Sequence, residues 1–228
     1  MKAKSIPVIQ FPDNVGETSH TIIGKYILFI DVKYDDSSEN PCKDWDGVGS
    51  IRSLSRRHID SIDYAEAKEL LETDKDVVAL SYYEHGNSLW MVAALPAPAG
   101  VEFQWDGVRF AGVWIPDKSV RESYIKQDGL TRRDWMVKQA DAACKTYTDF
   151  CNGYVYGYNV QLHKLRKENG NEYTGFSDYR FSEALFDDSC WGFYGWDYFK
   201  SQVLEAVSSA LEQLHFSKRS IKNALKTV

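Results

Sequence analysis

Cys190 follows Asp187-Asp188-Ser189 directly. A thiol near a helix start, with an imidazole as its base, is an arrangement that supports covalent catalysis, so Cys190 with His163 or His85 is one chemistry the chain offers. The competing expectation is an inert, buried thiol. Arg52, Arg56, Arg57 and His58 crowd into seven positions. Guanidinium forks grip phosphate or carboxylate, but Asp44, Asp46, Asp60 and Asp63 surround this cluster, and exposed ion pairs are its plainer reading. His85 precedes Gly86 at a predicted turn and has no second ligand at metal-binding spacing.

Two further groups of residues suit recognition rather than bond-making. Ser189 to Phe199 places six aromatic rings and two glycines in eleven positions. Trp191, Phe193, Tyr194, Trp196 and Tyr198 therefore form either the lid of a core or an exposed anchor for a partner. Asp60, Asp63, Glu66, Glu69 and Glu72 recur at every third position, and Asp60 to Asp76 holds seven acids against two lysines. On a helix each such step climbs about 4.5 Å and turns back about 60°. The carboxylates then wind into a ridge that imitates a nucleic-acid backbone for a basic groove, or simply faces water. Trp45 and Asp46, in the first of two W-D-G-V turns, join the candidate contact residues.

The elements that must position these groups read as α+β, a mostly antiparallel sheet packed on one side by helices. Tyr26 to Tyr34 is a strand rich in β-formers. Asp63 opens a helix that runs to about Glu72. Val77 to Tyr83 and Ser88 to Leu95 form a hairpin around Gly86-Asn87, and Arg109 to Ile115 is a further strand. Trp105-Asp-Gly107 is a turn, and Asp117 caps a short helix. Thr131 caps a longer helix with Met136, Ala140, Ala143, Tyr147 and Phe150 on one face, ending at Asn152-Gly153. Tyr154 to Leu162 alternates as a strand and Asn169-Gly170 turns it back. Asp197 caps a helix with Val203, Val207, Ala210, Leu211 and Leu214 as its buried stripe, and Lys218 to Lys226 makes a last one. No linker separates domains, so 1–228 reads as a single domain, with a loosely ordered arm over 1–20 and C-terminal helices over 197–228.

Composition narrows the partner. The chain has 228 residues, 43% apolar and 26% charged, and a net charge of −6. Met1 to Trp114 carries 18 acids against 11 bases. That pattern argues against direct nucleic-acid binding and suits a basic partner. No apolar run approaches the roughly 20 residues of a membrane span, and no secretory signal follows the N-terminus, so a cytosolic protein without membrane association is expected. Cys42, Cys144, Cys151 and Cys190 show no C-x-x-C pairing and imply neither a disulfide framework nor a metal, and no cofactor signature occurs.

An ordered set of motifs carries a resemblance. W-D-G-V-G (Trp45 to Gly49), R-R-H (Arg56 to His58), Y-Y-E-H-G (Tyr82 to Gly86), W-D-G before G-V-W-I (Trp105 to Ile115), N-G-Y-V-Y-G-Y (Asn152 to Tyr158) and D-S-C-W-G-F-Y-G (Asp188 to Gly195) resemble a family of uncharacterised bacteriophage and mobile-element proteins. The resemblance spans about Asn40 to Asp197. It implies an accessory protein of the host bacterial cytoplasm that binds and inhibits a host protein, such as a restriction or CRISPR defence component, without catalysis. The alternative expectation is a small enzyme or ligand-binding protein acting on nucleotides or nucleic acid, with Cys190, His85, Arg56 and Arg57 in a cleft.

Overall fold

Strand β2, Tyr26–Tyr34, occupies the residues its β-branched and aromatic composition predicts, and its two neighbours show how one unit of the protein is built. The computed structural model describes residues 6–58, 60–125, 129–166 and 180–226. β1 is Thr18–Ile23, and after β2 come α1 (Pro41–Asp44), β3 (Ser50–Ser53) and α2 (Tyr64–Thr73). β4 (Val78–His85), β5 (Asn87–Val92), α3 (Phe103–Asp106), β6 (Gly107–Ile115), α4 (Lys118–Glu122) and α5 (Arg132–Cys151) follow. The chain closes with β7 (Val155–Arg166), β8 (Arg180–Tyr194), α6 (Trp196–Glu212) and α7 (Lys218–Leu225). The predicted turn at Asn169-Gly170 lies outside the described residues. No helix among the described residues is long and apolar enough to cross a membrane.

The class is α+β, but with two four-stranded antiparallel sheets where one was expected. The chain divides into two compact units: 1–38 with 154–228, and 39–153. The sequence shows no linker there because each crossing is short: six residues separate β2 from α1, and Asn152 to Tyr154 separate α5 from β7.

The first unit orders its strands β1-β2-β7-β8. Alternation along β2 sends Leu28, Ile30 and Val32 to one face, where they meet Tyr158, Val160 and Leu162 of β7 and the Phe199, Val203, Val207 and Leu211 stripe of α6. Residues 6–20 are not a loose arm. Ile9 is 2% exposed in this core, Gln10 N donates to Thr21 Oγ1, and Ser19 Oγ donates to Gln10 O.

The second unit orders its strands β3-β6-β4-β5. α5 covers one face with Met136, Ala140, Ala143 and Cys144 against Leu80, Trp90 and Trp114. Thr131 and Asp134 cap it reciprocally. α2 packs Ala67 against Val77 and Val113. The edge strand β5 is closed by side chains of α5 and its C-cap: Asn152 accepts from Ser88 N at 2.8 Å and donates to Ser88 O at 2.9 Å, and Thr148 Oγ1 accepts from Trp90 N at 3.0 Å.

Candidate functional site

The aromatic run is a strand end rather than a turn, and its rings part company. β8 continues to Tyr194, Gly195 takes φ +82°, and α6 starts at Trp196. Asp197 thus sits inside the first helical turn and is not the cap. Phe193, 9% exposed, stacks on Tyr158 at 5.7 Å and packs on Phe199. Tyr194 is half-buried. Trp196 meets Phe11 and Tyr156 edge to face at 6.3 and 5.3 Å, at the margin of the same core. These three are structural. Trp191 and Tyr198 remain exposed, at 49% and 60%.

Trp191 owes its placement to a bulge. Tyr158 pairs with Cys190 and Tyr156 with Phe193, so Trp191 and Gly192 together oppose Gly157 alone, with Gly192 at φ +82°. The indole lies where a Cβ of Gly157 would stand, so only glycine fits beneath it. This is the face of the sheet turned away from α6, because Gly157 pairs with Lys33 while Val32 and Tyr158 point into the core. The next row on that face is Asp31, Asn159 and Ser189. Asn159 Oδ1 is shielded from water and has no hydrogen-bond partner. Leaving such a group unpaired costs about 1–3 kcal/mol.

Cys190 and His163 do not form a thiol–imidazole pair. Cys190 pairs with Tyr158 and His163 lies five residues further along β7, about 16 Å away on the opposite face. His85 belongs to the other unit, exposed at the β4–β5 turn, where Asp106 Oδ2 lies 2.9 Å from its Nδ1. Burial pushes the Cys42 thiol up to about 12, and that of Cys144 also well above its ordinary value. Packing around Cys151 pushes its thiol up to about 11. None of these three is a ready thiolate at neutral pH.

The carboxylate ridge is partly realised. Asp63 has the extended conformation of a helix cap but makes no capping bond, and Asp63, Glu66, Glu69 and Glu72 are exposed with no ion pair among the described residues. Asp60 is withdrawn to Arg52 at 3.7 Å. Asp74 and Asp76 are taken by a clasp that sequence reasoning missed. Arg121 binds both Asp74 oxygens, at 3.2 and 2.7 Å, and Arg132 binds Asp76 through Nε at 2.8 Å and Nη2 at 2.5 Å. Hydrogen bonds from Arg132 and Arg121 hold the Asp76 and Asp74 carboxyls below the usual range.

The arginine cluster disperses. Arg56 and Arg57 are exposed on the turn after β3, and Arg56 shares an open cleft with Asp63, Tyr64 and Glu66. His58 is built in, its Nδ1 2.8 Å from Ser53 Oγ and its ring against Tyr82 and Trp90. Trp45, 37% exposed, donates to Glu39 at 3.2 Å. Asp46 accepts from Ser119 Oγ at 3.2 Å. The W-D-G-V-G loop is an anion nest already filled from within: Gly47 N and Gly49 N donate to Asp117 Oδ2 at 2.6 and 3.1 Å. Burial alone would raise the Asp117 carboxyl, but bonds from Val120 N, Ser119 Oγ, Gly47 N and Gly49 N outweigh it and hold it low.

Trp105 is 77% exposed on α3, where the sequence predicts a turn, and neighbouring Asp106 and Gly107 give no sign of its exposure. No family model, curated protein or solved structure matches the chain.

Proposed function

We propose that this chain is a phage or mobile-element accessory protein of the host cytoplasm that binds and inhibits a host macromolecule, a protein with a basic surface, through the acidic face of α2. The motif set from Trp45 to Gly195 supports the phage context. The observation that carries the contact is the state of α2's carboxylates. Asp63, Glu66, Glu69 and Glu72 face water and have no ion-pair partners among the described residues, while the other acids of the same run are neutralised by arginines. Tyr64, 59% exposed at the first position of α2, adds an aromatic anchor beside them. Such a row raises the local concentration of a cationic partner and speeds its docking.

Covalent catalysis has less support, because Cys190 and His163 are separated along the sheet and the other thiols are raised by burial. The test is retention of bacterial host proteins by the tagged chain. Capture is expected to weaken steeply between 0.1 and 1 M salt, on the order of the loss of screened charge contacts. Glu66→Gln/Glu69→Gln/Glu72→Gln is expected to lose the same partners while keeping its circular dichroism spectrum. Undiminished capture by that folded variant defeats the reading.

A further inference from the structure

We infer that the basic row of α7, Lys218, Lys222 and Lys226, docks on the acidic row of α2 in a second copy of this chain. The contact shares α2 with the proposed host contact and rests on that face being a docking surface, but it needs no host protein.

α7 is packed so that its cations face outward. Ser217 accepts from Ser220 N to start the helix, Ile221 is buried in the first unit's core, and Ala224 and Leu225 pack beside it. From Gln213 to Val228 the chain carries four bases, Lys218, Arg219, Lys222 and Lys226, and no acid. All four are exposed and form no ion pair among the described residues. Lys226 keeps helical backbone past the end of α7, at φ −70° and ψ −17°, so the three lysines make one row at four-residue steps. They line a cleft whose opposite wall holds Ser208 and Glu212 of α6, and Glu212 is not paired with them.

α2 carries the complement. Glu66, Glu69 and Glu72 rise about 9 Å in three-residue steps, and the three lysines rise about 12 Å in four-residue steps, a difference that flexible lysine stems absorb. A row of i±3 positions on one helix runs parallel to a row of i±4 positions on another when the axes cross at about +20°. One orientation of the two helices therefore aligns all three pairs. Lys68, one turn before Glu72, makes no ion pair with it. The occupant is a second copy because the chain itself supplies the matching row: arginines take Asp60, Asp74 and Asp76, and the α2 carboxylates are the acids of that run left over. The apolar side of α7 is spent on its own core, which leaves nothing to insert into a membrane surface. Because the two rows differ, the contact is heterologous and joins copies head to tail. Two short helices give a small interface, so the association is transient.

Sedimentation velocity on the full-length chain reads the contact. At low salt the weight-average sedimentation coefficient is expected to rise with protein concentration, and that rise to vanish at about 0.5 M salt. Lys218→Glu/Lys222→Glu/Lys226→Glu and Glu66→Lys/Glu69→Lys/Glu72→Lys should each weaken self-association by about tenfold or more. An equimolar mixture of the two charge-reversed variants should associate again, because each offers the row that the other lacks, and misfolding cannot imitate that recovery. The inference is overturned if the parent stays monomeric at every concentration or if the mixture does not associate. It is equally overturned if the lysine variant self-associates like the parent while losing binding to oligothymidine or to vesicles of anionic lipid. The lysine variant keeps α2 intact, so its capture of host proteins should match the parent's, and the two readings fail separately.

Discussion

Gly49, the last residue of the W-D-G-V-G loop around Asp117, is fixed by packing. Its φ is +76°, and a Cβ there would stand 2.7 Å from both Trp114 Nε1 and Ile115 O. Trp114 Nε1 in turn donates to Val48 O at 2.9 Å. Gly49→Ala combines left-handed strain with overpacking against a fully buried tryptophan, so a loss of about 2–4 kcal/mol is expected in denaturant unfolding. The cysteines separate by accessibility rather than by motif. Cys190 and Cys151 are exposed, whereas Cys42 and Cys144 are buried, and of the exposed pair Cys151 has its thiol pushed up to about 11 by desolvation. Brief treatment of the native protein with iodoacetamide should therefore label Cys190 first and leave Cys42 and Cys144 for the denatured chain. Intact-mass analysis of Cys190→Ser checks this, and an unchanged fast phase in that variant contradicts it.

At the scale of elements, the Asp76 clasp joins the α2–β4 connection to α4 and the start of α5, and it makes stability depend on pH. The folded carboxyl lies below its unfolded value, so the stabilisation is complete above the ordinary carboxylate range, about pH 4, and drains away as pH falls through that range into the folded value. Asp76→Asn is expected to cost about 2 kcal/mol at neutral pH and to flatten the acid limb of melting temperature against pH. Asn152→Ala uncovers Ser88 N and O on β5, at about 1–2 kcal/mol and with faster aggregation in light scattering. Both devices hide from sequence reading because their partners lie 45 to 64 positions apart. What local chemistry governs was legible: β2 by its β-formers, α5 by Thr131 and its Asn152-Gly153 stop, α6 by its Val203, Val207 and Leu211 stripe. The start of α6 was not, because Gly195 at φ +82° ends β8 without any capping side chain. The exposed face of Trp191 was not, because it depends on Gly157 thirty-four positions earlier.

At the scale of the whole molecule, the unit spanning 39–153 interrupts a β-hairpin. β2 and β7 are paired in register from Tyr26↔Lys164 to Tyr34↔Tyr156, and Asp35 N donates to Val155 O at 2.8 Å. The chain therefore leaves the first sheet at one end of that ladder and returns to the same end, where an ordinary hairpin needs only a short loop. The inserted segment holds 19 acids against 14 bases, and the remainder 14 against 13, so most of the net −6 belongs to the insertion along with the α2 ridge. Loop tips are where domain insertions are tolerated, because both ends are already held by the host sheet. Replacing 39–153 with a short Gly/Ser turn should leave β1, β2, β7 and β8 paired over the Val203, Val207 and Leu211 stripe, since every residue of that core lies outside the excised segment. The shortened chain should then unfold cooperatively in calorimetry and lose the α2-dependent capture of host proteins. An excised protein that gives a collapsed amide spectrum would show that the first sheet needs the inserted unit to fold.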